Sequence, residues 1–113
     1  MTLEKQVAPF VVHHHESNSS VTLNVGDYKA EIFAERADEG FEGSGYDWAS
    51  LAAVFLAEKM PALRDDIRFD PEGSMFCAYS KNKEALERFA VAFHAMCEDE
   101  AQMRELFSRA ELD

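Results

Sequence analysis

The stretch Met75-Phe76-Cys77-Ala78-Tyr79 constrains this chain more than any other. Strand alternation puts Met75, Cys77 and Tyr79 on one face and Phe76 and Ala78 on the other, so both faces are apolar. Such a strand suits the middle of a sheet better than an edge. Ahead of it, Ile67-Arg68-Phe69 reads as a partner strand. The link Asp70-Pro71-Glu72-Gly73 fits a type I turn, with Asp at the first position, Pro at the second and Gly at the fourth. Behind it, Ser80 or Asn82 can cap a helix whose Leu86, Phe89, Ala90, Phe93 and Met96 make a continuous apolar stripe.

The same reasoning runs through the rest of the chain. Residues 7–15 (VAPFVVHHH) read as a first strand, with Pro9 suggesting an edge or an unpaired beginning, and ESNSS makes a polar turn. VTLNV and YKAEIFAE flank Gly26-Asp27, which predicts a tight hairpin pairing Val25 with Tyr28, Leu23 with Ala30 and Val21 with Ile32. Its other face pairs Thr22 with Glu31 and Asn24 with Lys29, and Phe33 is the exception on that polar side. Trp48, Leu51, Ala52, Phe55 and Leu56 recur at helical spacing, with Asp47 as N-cap and Pro61 ending the run. Glu98-Asp99-Glu100 interrupts the later helix or opens a last one, docked by Met103, Leu106 and Phe107. The expected class is α+β: a single antiparallel or mixed sheet of about five strands (order βββ-α-ββ-α-α), with helices packed on one face and residues 1–113 as a single domain.

A 113-residue chain can bury roughly two-thirds of the surface its unfolded form exposes, and 47% apolar residues with nine Phe supply one core. Its longest apolar run is far short of the roughly 20 residues that span a bilayer. The N-terminal MTLEKQVAPF has no secretory pattern, so the expected location is the cytoplasm. Cys77 and Cys97 are expected to be buried apolar residues rather than a disulfide or a redox pair. Twenty-two acidic against eleven basic residues give a net charge of −11, which disfavours nucleic acid and anionic membranes and suits a basic protein partner.

Three glycines in Gly40-Phe41-Glu42-Gly43-Ser44-Gly45 raise the question of a phosphate cradle. Asp38, Glu39, Glu42 and Asp47 surround them, no Lys or Arg lies between Arg36 and Lys59, and neither glycine fingerprint matches. The segment therefore reads as a pliable acidic connector. His13 and His15 would share a strand face, roughly 7 Å apart, but two ligands do not make a metal site and no third is specified. His94 reads as a packing histidine. No nucleophile with a base and an orienting group is visible, and the carboxylates Asp65, Asp66, Asp70 and Glu72 read as a solvated face. The chain is thus expected to be no enzyme, with no cofactor and no catalytic or metal residues.

GYDWASLAAVFLAEKMPAL (45–63), IRFDPEGSMFCAYS (67–80) and KEALERFAVAFHAMCED (83–99) together resemble the immunity protein family numbered fifty-one of bacterial polymorphic toxin systems. GYDW and FDPEGSMFCAYS are the most specific parts, and the N-terminal strands match only in their general β character. The resemblance implies a small cytosolic protein that binds and neutralises a cognate toxin domain. Gly45, Tyr46, Asp47 and Trp48 look like the family motif, which serves folding as readily as binding. If the toxin is a cationic nuclease, acidic residues would steer the encounter. The expected contacts are Asp38, Glu39 and Glu42, the first hairpin's Glu31 and Glu35, and Tyr46 as an aromatic anchor. The alternative is an acidic homo-oligomeric or adaptor-like module using Phe33 and the terminal helix.

Overall fold

A computed structural model describes residues 2–112. Strands β3 (Arg68–Phe69) and β4 (Met75–Ser80) form one hairpin, whose pairing continues through a Glu72–Met75 bridge, so the tight turn lies at Gly73-Ser74 and corrects the expected Asp70-Pro71-Glu72-Gly73 turn. Strands β1 (Val11–His14) and β2 (Ser19–Asn24) form the other hairpin, closed by Glu16 and Ser17, with His15 N–H donating to Asn18 O at 2.8 Å. The two hairpins join through β2 and β4 into one antiparallel sheet of order β1-β2-β4-β3. β4 is central, as its two apolar faces require.

Helices cover one face of this sheet. Val12, Val21, Leu23, Phe76 and Ala78 point inward and are buried. Against them lie α3 (Gly45–Lys59), carrying Trp48, Leu51, Ala52, Phe55 and Leu56, and α4 (Lys83–Glu98), carrying Leu86, Phe89, Ala90 and Phe93. Asn82 Oδ1 caps α4 by accepting from Ala85 N–H at 3.1 Å, so of the two candidate caps Asn82 serves. The acidic run does break the helix: Asp99 caps a separate α5 (Glu100–Phe107), which buries Met103, Leu106 and Phe107. A short N-terminal helix, α1 (Leu3–Val7), packs beside α4, and the turn that follows it over residues 8–10 shortens the expected first strand to Val11–His14.

The α+β class and the one-sided helices match the expectation, with four strands in the sheet. The expected third strand is corrected. YKAEIFAE does not pair with β2; Lys29 takes φ 54, a left-handed conformation, and the chain turns into helix α2 (Ala30–Ala34). β2 instead gives Val21 to Val12 and Ala78, and Leu23 to Phe76. A strand would put Ile32 and Phe33 on opposite faces, whereas one helical turn buries both. Phe33 is therefore core, wedged between Trp48 and Phe107 with ring centroids 4.9 and 4.8 Å away.

Candidate functional site

Helix α3 begins three residues earlier than its apolar spacing suggests, because Ser44, not Asp47, is the N-cap. Ser44 Oγ accepts from Asp47 N–H, and Asp47 Oδ2 accepts from Ser44 N–H, both at 3.2 Å, which is a capping box. The same Oδ2 accepts from the N–H groups of Glu42 and Gly43, each at 2.8 Å. Gly43 sits at φ 78, where glycine carries no steric cost. Three successive amides thus converge on one anion, the arrangement by which backbone nests hold phosphate. Here the anion is the Asp47 carboxylate itself, buried at 5% exposure. The loop is a cradle filled from within.

Gly45 is fixed by a different constraint. Its N–H donates to Gly73 O at 3.1 Å, and a Cβ there would stand 2.0 Å from Glu72 O and 2.1 Å from Met75 O. The start of α3 and the Glu72–Met75 turn are therefore pressed together backbone to backbone. Trp48 is 1% exposed, packed among Phe10, Tyr28 and Phe33. Of Gly45-Tyr46-Asp47-Trp48, three residues are consumed by folding. The ring of Tyr46 is not: the residue is 45% exposed on the first turn of α3.

The acidic candidates lie on the chain leading to that turn. Glu31 is on α2 and Glu35 is its C-cap, so both are helix residues rather than the sheet residues expected. Asp38 and Glu39 follow in a short 3-10 turn, Ala37–Glu39, and Glu42 comes just before the nest; all five are exposed. Glu35 pairs with Arg104 at 2.9 Å and Glu39 with Arg36 at 2.8 Å, whose guanidinium holds the Glu39 carboxyl below its ordinary range. Among the described residues Glu31, Asp38 and Glu42 have no ion pair.

This surface is anchored from behind. Arg36 donates to Phe107 O and, at 3.0 Å, to Ala110 O, while its guanidinium stacks 4.4 Å from the Phe41 ring centre and 4.8 Å from that of Phe107. Lys29 pairs with Glu100 at 3.0 Å, and Tyr28 donates to Glu98 at 2.5 Å. Burial and the Glu98 partner push the Tyr28 phenol up; that hydrogen bond, then Lys29, holds the Glu98 carboxyl down. These ties connect residues 28–36 to the far end of the chain, beyond the reach of local sequence patterns.

The other expectations fall as follows. His13 and His15 do share a face, their rings stacked 6.1 Å apart, while His14 turns to Ser19 and Glu87. Among the described residues no three potential metal ligands come together. His94 packs on Phe10 and Tyr28. Cys97 is buried, and burial raises its thiol; Cys77 is corrected to half-buried, because it lies on the uncovered sheet face. Asp65 and Asp66 border a cleft of about 480 Å³ shared with Arg68, Tyr79 and Lys81. Among the described residues no helix is long and apolar enough to cross a membrane.

Comparison with curated proteins and with solved structures gives no significant match. The model of a protein family, immunity protein 51, matches residues 10–112 and so takes in the nest, the exposed Tyr46 and the whole sheet. The resemblance seen in the motifs therefore extends through the N-terminal strands as well, and the chain belongs to the immunity protein 51 family.

Proposed function

We propose that this protein neutralises a cognate toxin domain by binding it directly, through the surface that runs from α2 to the first turn of α3. Family membership supports a toxin-binding role and favours an inhibitor over an enzyme. The single observation that carries the choice of surface is Tyr46, an exposed ring on a turn whose neighbours are all immobilised by folding. A rigid aromatic loses little conformational entropy on docking, which is why Tyr serves as a binding anchor. Glu31, Asp38 and Glu42, unpaired among the described residues, leave negative charge around the approach to it, with Glu35 and Glu39 adding carboxylates already held by arginines.

A net charge of −11 fits a basic toxin, of which a cationic nuclease is one kind, and the protein would act in the cytoplasm of the producing cell. The adaptor-like alternative loses one support, since Phe33 is buried rather than exposed. The test is growth rescue and binding with the C-terminal domain of the large secreted protein encoded beside this gene. Unaltered protein should rescue growth and bind more weakly as salt rises. Tyr46→Ala should weaken binding about tenfold or more without unfolding the protein. Rescue and affinity unchanged by Tyr46→Ala together with Glu42→Lys would move the contact elsewhere.

A further inference from the structure

The two edges of the sheet are not alike. β3 is two residues long and flanked by Asp65, Asp66, Arg68, Asp70 and Glu72, the usual protection against stray pairing. β1 is four residues long, and the run Lys5–His15 that contains it has no acidic residue in a chain of net charge −11. The bond from His15 N–H to Asn18 O fixes the ladder phase, so Val11 and His13 exchange backbone bonds with β2. The N–H and C=O groups of Val12 and His14 consequently face outward. Among the described residues no hydrogen bond outside the ladder reaches them.

Beneath this edge, on the helix side, is a cleft of about 330 Å³ lined by Thr2, Leu3, Val12, His14 and Glu87. Its polar floor is organised. Glu87 Oε2 lies 3.2 Å from His14 Nε2, and Ser19 Oγ lies 2.8 Å from His14 Nδ1. With Nε2 donating to Glu87 and Ser19 donating to Nδ1, the Glu87 carboxylate keeps its other oxygen free. An open edge with a side-chain cleft below it is the layout that recognises an added strand, main-chain bonds giving affinity and the cleft giving selectivity.

We propose that an extended segment of the toxin adds to the β1 edge as a fifth strand, with a Lys or Arg side chain in the Thr2–Glu87 cleft. The aliphatic stem of that side chain would lie on Leu3 and Val12, and its cation would meet the free oxygen of Glu87. A neutral, non-donating partner side chain would leave the second Glu87 oxygen without a donor, so charge selects the occupant. A second copy of this chain is the poorer fit, because the residues its own β1 could present to the cleft, Val12 and His14, carry no fixed positive charge. The assignment rests on the toxin-binding reading for its partner. It adds a contact separate from Tyr46.

The experiment uses the full chain and the same neighbouring toxin domain, read by amide exchange and by affinity. In the complex the Val12 and His14 amides should exchange about tenfold or more slower than in the free protein. His14→Pro removes one outward N–H and leaves the ladder intact; it should weaken binding about tenfold beyond His14→Ala, which loses the same imidazole but keeps that amide. Glu87→Lys should also weaken binding, with far-ultraviolet circular dichroism confirming that each variant is folded. Binding with unprotected edge amides and no effect of His14→Pro would overturn the edge site and leave toxin binding standing. No binding by the unaltered protein would overturn both. A dimer in light scattering that His14→Pro disperses would give the edge to a second copy and overturn the proposal.

Discussion

Removing the Asp47 carboxylate empties the nest and should destabilise the protein by an amount the geometry sets. One oxygen accepts three backbone N–H groups, at 2.8, 2.8 and 3.2 Å, in a residue 5% exposed. A hydrogen bond to a charged group is worth about 1.5–3 kcal/mol, but the three share an acceptor, and water can replace it for the part-buried amides of Glu42 and Ser44. Counting the buried Gly43 amide in full and adding about 1 kcal/mol for the lost capping partner gives about 2.5–4 kcal/mol for Asp47→Ala. Asp47→Asn keeps a carbonyl oxygen that can accept without charge assistance, and should cost about half as much.

The assay is urea unfolding followed by the fluorescence of Trp48, the one tryptophan, which lies next to the nest and is 1% exposed. Midpoints should fall while the slope stays constant, since the surface exposed on unfolding is unchanged. Formate should stabilise Asp47→Ala more than chloride at equal ionic strength, because a small carboxylate can enter the vacated nest. Tyr46→Ala, one residue away, should stay within about 0.5 kcal/mol of the unaltered protein. A loss below about 1 kcal/mol for Asp47→Ala, or equal losses for Ala and Asn, would refute the claim that a charge held by three amides organises this loop.

Three further perturbations test the supports of the same surface. Gly45→Ala places a methyl 2.0 Å from Glu72 O, so thermal unfolding should show a loss in the exceptional range above about 4 kcal/mol; a well-folded variant within 1 kcal/mol of the original would show that the turn yields. Arg36→Lys keeps the charge but cannot make the forked contacts to Glu39, Phe107 O and Ala110 O, and should cost about 1–3 kcal/mol while speeding amide exchange around residues 107–110; unchanged exchange there would deny Arg36 its anchoring role. Glu98 has its carboxyl held below its ordinary value of 4.5 by Tyr28 first and Lys29 next, so the folded state binds that proton more weakly than the unfolded state. Its contribution is complete above pH 4.5 and is lost as pH falls through the depressed value; Glu98→Gln should therefore narrow the gap to the unaltered protein as pH drops, and a gap that widens would reverse the assignment.

Local chemistry made much of the fold legible. The β3–β4 hairpin, the doubly apolar β4, the Asn82 cap and the acidic break at Asp99 each rest on a few adjacent residues and stand where the sequence suggests, although the hairpin's tight turn falls at Gly73-Ser74, two residues beyond the Pro71-Glu72 centre expected. The third strand failed because α2 is held by partners about 70 positions away: Glu98 for Tyr28, Glu100 for Lys29, and Phe107 and Ala110 for Arg36. One local sign was present, since Ile32 and Phe33 side by side cannot both be buried by a strand with one solvent face. Ser44, three residues before Asp47, was also a legible capping pair. The nest was not legible, because residue order does not show that one carboxylate oxygen would meet three amides. The acidic residues were identifiable by type, but which of them are paired depends on Arg36 and Arg104 arriving from elsewhere in the fold.

The Gly45-Tyr46-Asp47-Trp48 stretch itself then divides by physical role. Gly45, Asp47 and Trp48 join the acidic loop, the Glu72–Met75 turn and the core at one point, and none of them offers a partner anything that folding has not taken. Such a junction would serve a toxin inhibitor whatever its toxin, because it fixes the start of α3 without prescribing what that start touches. On the proposed reading, specificity comes from what the junction presents: the Tyr46 ring, the acids on the chain before it and, at the opposite hairpin, the β1 edge with its cleft. The nest accounts for Gly43 and for the acid that follows it, since an internal carboxylate satisfies the converging amides and leaves no room there for phosphate. A loop that is rich in glycine yet closed by its own anion is a rigid mount, and that rigidity is what, on the proposed reading, would let an exposed tyrosine bind without first having to be ordered.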